Sequence, residues 1–209
     1  MVILVLQSRI SYGLTFGRLA PFITDMNATT FRAIWFWLRA LSIIIVLILW
    51  LMNHTNGIER AIIIANALFT LGLLMSTLTI VDVLTGFTTD VITIILADVV
   101  LLATSNVLIF SIWYWLMDPP GIAAVSRQEE AWDFLFPQRA ADELPFYEAW
   151  VPSYTDYLYL AFSATLAFSP SVTLPLSKRA KWIMIFQTSI SVVTLVVIAG
   201  TAISALSSI

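Results

Sequence analysis

Between residues 156 and 203 a short apolar segment is followed by a polar elbow with two prolines, a basic cluster and one long apolar run. The short segment, residues 157–168, would form a helix of roughly 18 Å at 1.5 Å per residue, against a hydrocarbon core of ~30 Å. It cannot cross. An apolar helix too short to span, then irregular chain, then a full span is the pattern of a re-entrant half-helix. Non-helical backbone at membrane depth survives only where protein or a water-filled cavity satisfies its polar groups. The elbow is therefore the expected constriction of a pore, formed by Thr165, Leu166, Ala167, Phe168, Ser169, Pro170 and Ser171.

Composition puts the whole chain in a membrane. Of 209 residues 60% are hydrophobic and only 11% charged, where soluble domains carry about 25% charge. Mean hydropathy is +0.94. A net charge of -3 with scattered basic residues leaves no footprint for nucleic acid. Cysteine is absent and His54 is the sole histidine, which excludes disulfides, thiolate chemistry and a histidine-based metal site or triad. No cofactor, metal ligand set, phosphate loop or nucleophile with a base is expected, and hence no enzyme.

In chain order, residues 1–32 read as an interfacial or cytoplasmic arm with Arg9, Arg18 and Arg32, carrying a short amphipathic helix near its start. The apolar run at its head is too short for a cleavable signal. Residues 33–117 read as three spans, about 33–52, 59–84 and 91–117, with Trp35, Trp37, Trp50 and the Trp113 to Trp115 group as interfacial anchors. Three charges fall inside them. Arg39 either snorkels to the headgroups or pairs with an acid, Asp98 being one candidate. Asp98 itself sits about 12 Å into its helix and serves either a helix contact or a conduction or proton role. Asp82, nearer a turn, reads as interfacial. Residues 118–155 hold seven acids against Arg127 and Arg139, together with apolar anchors such as the DFLF run at Asp133 to Phe136. This is an extracytoplasmic cap or an ordinary solvated loop; around a mouth its acids would concentrate cations. In the last span, about 180–204, Gln187, Ser191 and Thr194 share one helix face and would either line a cavity or bond neighbouring helices.

The order of residues 156–209, short helix, elbow, basic turn and long helix, resembles the pore module of the tetrameric potassium-channel superfamily. Those filters carry TVGYG, whose glycines let carbonyls replace the ion's hydration shell; here no glycine lies between Gly121 and Gly200, so potassium selectivity is not implied. The runs DFLFPQ, DYLYLAF, AFSP and LPLSKRAK are also similar to a group of bacterial integral membrane proteins with AFSPTD at the elbow; Ser171 and Val172 stand where that Thr-Asp pair falls.

The expected fold is thus an all-α membrane protein of four transmembrane helices plus one re-entrant pore-type half-helix. The resemblance implies a homo-oligomer, a tetramer around a central axis, in the inner (plasma) membrane of a bacterium, with membrane lipid and inorganic cations as partners. It also implies an N-terminus inside. Basic residues run against that, four inside (Arg9, Arg18, Arg32, Arg39) to six outside (Arg60, Arg127, Arg139, Lys178, Arg179, Lys181); the basic arm before the first helix favours it. The expected function is a cation-permeable, channel-like pore. Rival expectations are a non-conducting membrane assembly that keeps the pore-module shape, and a proton-coupled small transporter using Asp98 without the internal repeat of that class.

Overall fold

The computed structural model describes residues 2–9, 28–52, 55–84, 92–119, 131–141, 150–167 and 173–207. Within them are seven helices, α1 (Val2–Arg9), α2 (Ala28–Leu51), α3 (Thr55–Leu84), α4 (Ile92–Met117), α5 (Pro137–Ala140), α6 (Tyr154–Ala167) and α7 (Lys178–Ser207). Two short strands, β1 (Phe134–Leu135) and β2 (Leu174–Pro175), pair antiparallel with Phe134 opposite Pro175 and Leu135 opposite Leu174.

Four of these helices are long and apolar enough to cross a bilayer, over Ala33–Leu51, Gly57–Val81, Ala97–Met117 and Lys178–Gly200. Their 19 to 25 residues rise roughly 28–38 Å, enough for a ~30 Å core. A multi-pass membrane protein follows, and contact with lipid with it. The apolar face of α2 is nearly continuous: only 11% of its span is buried, against 50% of the span in α4. A helix that is hydrophobic all round and left uncovered belongs in lipid. Hydroxyls on these helices bond backward to the carbonyl four residues before, as Thr77 does to Leu73 at 2.9 Å and Ser76 to Gly72 at 2.8 Å. In lipid each such bond keeps the hydroxyl's donor paired within its own helix.

α6, with 14 residues, is about 21 Å long and falls short of a span. Its start lies three residues earlier than the apolar pattern predicts, because Asp156 reaches back to Ser153 as one half of a capping box does. The Asp156 carboxylate accepts from Ser153 N at 2.7 Å and from Ser153 Oγ at 2.8 Å, satisfying donors that a bare helix start would leave open. α7 likewise begins at Lys178 rather than near 180, since Ser177 Oγ accepts from Ala180 N at 3.1 Å.

By contacts the chain forms two compact units, Met1–Ser105 with Val192–Ile209, and Asn106–Ser191. In the first, α2 and α3 pack along each other and α1 touches both. In the second, the later part of α4 packs with α6 and the opening turns of α7. Tyr157, Leu160, Ala161 and Ala164 make the buried stripe of α6, while Tyr159, Phe162 and Leu166 are exposed. Phe110 meets Phe186 with ring centroids 6.0 Å apart, and Tyr114 meets Phe134 edge-on at 5.1 Å. Small residues let helix backbones approach closely inside a membrane, and Ala161 does so opposite α7. Replacing it by Leu is expected to wedge the two helices apart and lower stability by about 1–3 kcal/mol, read as a fall in melting temperature of the purified protein in detergent; Phe162→Leu, on the exposed side, is expected to leave it unchanged.

Candidate functional site

Two buried carboxylates hold the ends of the α6 region. Asp118 follows the last turn of α4 and is itself wholly buried. Its Oδ1 accepts from the backbone N–H of Asp133 at 2.7 Å and of Phe134 at 3.1 Å. Its Oδ2 accepts from Arg139 Nη1 at 2.9 Å and from the Tyr157 hydroxyl at 2.7 Å. Four donors from β1, α5, α6 and the residue before β1 thus meet on one carboxylate. Arg139 is equally enclosed: Nη1 also donates to Phe134 O at 2.7 Å, Nη2 donates to Pro119 O at 2.9 Å, and the guanidinium lies 4.6 Å from the Trp132 ring centroid.

Asp133 carries the constraint onward. Its Oδ1 accepts from Arg179 Nε at 2.8 Å and from the Ser177 hydroxyl, its Oδ2 lies 2.6 Å from Arg179 Nη2, and its backbone O accepts from Leu176 N at 2.8 Å. The turn between β2 and α7 is therefore bonded to the residue just before β1. Around this polar clasp, Phe136 stacks edge-on against Tyr157 at 5.4 Å and contacts Trp150 at 5.7 Å. Burial, with the Asp118 charge second, pushes the Tyr157 phenol above its ordinary range and keeps it a donor.

A second polar cluster lies further along the same helices. Gln187 is fully buried. Its Nε2 donates to Ala161 O at 2.8 Å and to Thr165 Oγ1 at 2.9 Å, and its Oε1 accepts from the Tyr114 hydroxyl. Because a carbonyl can only accept, the bond to Ala161 fixes which end of the amide faces α6. Ser191 Oγ donates to Gln187 O at 3.1 Å and accepts from Asn106 Nδ2 at 2.8 Å.

Of the residues singled out from sequence, Thr165 is buried and bonded to Gln187 while Leu166 is exposed. Phe168, Ser169, Pro170 and Ser171 lie outside the described residues, as does the side chain of Ala167. Gln187, Ser191 and Thr194 are all buried, and the first two bond within the unit that holds α6. Arg39 and Asp98 are buried among the helices; the guanidinium of Arg39 bonds Gln7 and the Trp35 carbonyl rather than reaching outward. The side chain of Asp82 is outside the described residues. Among the described residues no three acidic or histidine side chains converge as metal ligands do. Sequence reasoning missed the Asp118, Asp133, Arg139, Tyr157 and Arg179 clasp. The available signal was Arg139, one of only two basic residues within an acidic stretch.

The fold and this site define a helical, multi-pass membrane protein with a buried, hydrogen-bonded polar clasp. Comparison with family models, curated proteins and solved structures finds no match.

Removing one partner of a buried ion pair strands the other charge, at about 3–5 kcal/mol. Asp118→Leu strands Arg139, two backbone N–H groups and a phenol, whereas Arg139→Met leaves the carboxylate three donors. Thermal unfolding in detergent is expected to rank Asp118→Leu below Arg139→Met, with the double variant above Asp118→Leu alone. The Tyr157 phenol adds a pH dependence. Because the folded phenol keeps its proton past its ordinary value of 10.0, unfolding releases a proton there, and stability falls as pH rises above that value. Tyr157→Phe is expected to flatten this alkaline loss in a melting-temperature titration.

Proposed function

We propose that this chain is the subunit of a channel-like membrane protein. In this reading α6 is a re-entrant half-helix, and four copies surround a cation-permeable path that is not selective for potassium. One observation carries it. The segment leaves the clasp at Tyr157 and is back beside it at Leu174, while Thr165 between them bonds Gln187 on α7. Nine residues separate Lys178 from Gln187, roughly 14 Å along α7, and eight separate Tyr157 from Thr165, roughly 12 Å along α6. Both helices start at the clasp and descend to a common depth. From Ala167 to Thr173 the chain has six steps, at most about 20 Å when extended, enough to return from that depth and not enough to cross and come back.

On this reading the clasp anchors the half-helix at its entry and Gln187 sets how far it descends. The constriction is Thr165 to Ser171, where Phe168 closes by excluding water and the serine hydroxyls substitute for part of an ion's hydration. The C-terminal end of α6 turns the negative end of its dipole toward the path, which favours cations.

A second reading, a membrane assembly that keeps this shape without conducting, is favoured by a specific observation. Gln187 and Ser191 spend their polar atoms on bonds inside the subunit, and the elbow has no glycine to turn carbonyls inward. Flux from proteoliposomes separates the two. Conduction predicts cation flux that rises in Phe168→Ala and is blocked in Ser169→Cys by a water-soluble thiol reagent, the chain having no cysteine of its own. Protein that is a tetramer in mild detergent yet silent in both forms establishes the assembly reading, and a monomer removes the shared axis.

A further inference from the structure

The opening turns of α7 present a graded face. Lys178 and Lys181 are exposed, Trp182 is 71% exposed and Ile185 is 56% exposed. These positions follow one another at helical spacings of three and four, so they line one side of the helix. Along roughly 10 Å of rise that side passes from cationic through aromatic to aliphatic. The candidate span begins at Lys178 itself, so the gradient starts at its end. Leu174 and Leu176, in the turn that leads into α7, are exposed as well.

Charge on this face is unbalanced. The described acids of the unit holding α6 are Asp118, Asp133 and Asp156; the first two bond Arg139 and Arg179, and the third accepts from Ser153. Arg179 is thereby accounted for. Among the described residues neither Lys178 nor Lys181 has a salt bridge or a side-chain hydrogen bond. Two like charges one turn apart repel each other, and an anion held by both reverses the sign of that interaction. A lysine stem lies along apolar surface while its ammonium reaches the headgroups, and tryptophan settles at headgroup level. We infer that Lys178, Lys181 and Trp182 form a binding site for the headgroup of an anionic phospholipid, with Ile185 against its acyl chain. A zwitterionic lipid offers the same phosphate but brings its own cation, so net charge is what the site selects. The clasp prepares the site in advance: Ser177 and Arg179, on either side of Lys178, are both bonded to Asp133, which fixes the first turn of α7 before a lipid arrives. The inference does not rest on conduction.

Titration of the purified full chain in neutral detergent tests this, with phosphatidylglycerol, phosphatidylcholine and inorganic phosphate as probes and melting temperature as the readout. Phosphatidylglycerol is expected to raise the melting temperature saturably, with a half-point at least about tenfold below that of phosphatidylcholine, and inorganic phosphate to leave it unchanged. Lys178→Gln combined with Lys181→Gln is expected to bring the two lipids within about twofold of each other. Arg60→Gln, which removes an exposed cation from α3, is expected to keep the preference. Equal half-points in the unaltered chain, or a preference that survives the double lysine variant, would overturn the site. A response to inorganic phosphate as strong as that to phosphatidylglycerol would mean a free-anion site and overturn the lipid assignment. Should the double variant yield no folded protein, salt decides on the unaltered chain. Exposed ammonium groups are screened beyond about 3 Å at about 1 M ionic strength, so the preference is expected to vanish there, and one unmoved by salt refutes the site.

Discussion

The Asp118 carboxylate is the contact on which the α6 region depends. A carboxylate taken out of water loses solvation worth several kcal/mol, and a single counter-charge seldom restores it. Here the replacement shell is complete: one guanidinium, one phenol and two consecutive backbone N–H groups. Each donor comes from chain far away in sequence, so satisfying the charge also fixes where β1, α5 and α6 meet the end of α4. The cost of burial becomes positional information. Asp133 repeats the arrangement one residue before β1 and passes it to Ser177 and Arg179, so α7 starts from the same anchor.

Gln187 does at depth what the carboxylates do at the entrance. A primary amide surrounded by apolar side chains needs its donors and acceptor paired, and Ala161, Thr165 and Tyr114 pair all three. The partner on α6 includes the backbone carbonyl of Ala161, which also accepts from the Thr165 hydroxyl one turn on. One side chain thereby joins two residues of α6 and sets a distance between two helices. With its start held at Tyr157 and its far end at Thr165, α6 has little freedom to slide along α7.

Much of this architecture is legible in the residues, and the illegible part has a physical reason. The four spans follow from uninterrupted apolar length, which needs no knowledge of partners. The shortness of α6 was equally visible, and the Ser153 and Asp156 contact that adds its first turn is a local pattern within four residues. The clasp was not visible. Seven acids lie between residues 118 and 155, and nothing local says that Asp118 and Asp133 are among those that turn inward to meet Arg139 and Arg179. The polar face of α7 shows a different limit. Helical spacing assigns Gln187, Ser191 and Thr194 to one face, but the same spacing serves a wet cavity and a neighbouring helix alike. Likewise Arg39 stood out as an intramembrane charge, whereas one of its acceptors, Gln7, is a neutral residue 32 positions earlier that follows an apolar run.

The internal use of these polar groups narrows what an axial path in the proposed assembly can be made of. Gln187 and Ser191 are committed to Ala161, Thr165, Tyr114 and Asn106, so drawing them onto an axis would strand those partners in an apolar surrounding, at about 1–3 kcal/mol for each group left unpaired. The outward side of α7 carries Trp182, Ile185, Phe186 and Leu195 instead, which suit lipid or another helix and offer an ion nothing. Hydrophilic lining then has to come from the elbow itself, from its hydroxyls and backbone carbonyls. In the proposed assembly a path so built would be short and would depend on Phe168 to exclude water. Such a constriction responds to wetting more than to ion identity, and the residue that sets its width matters more than any charge along its length.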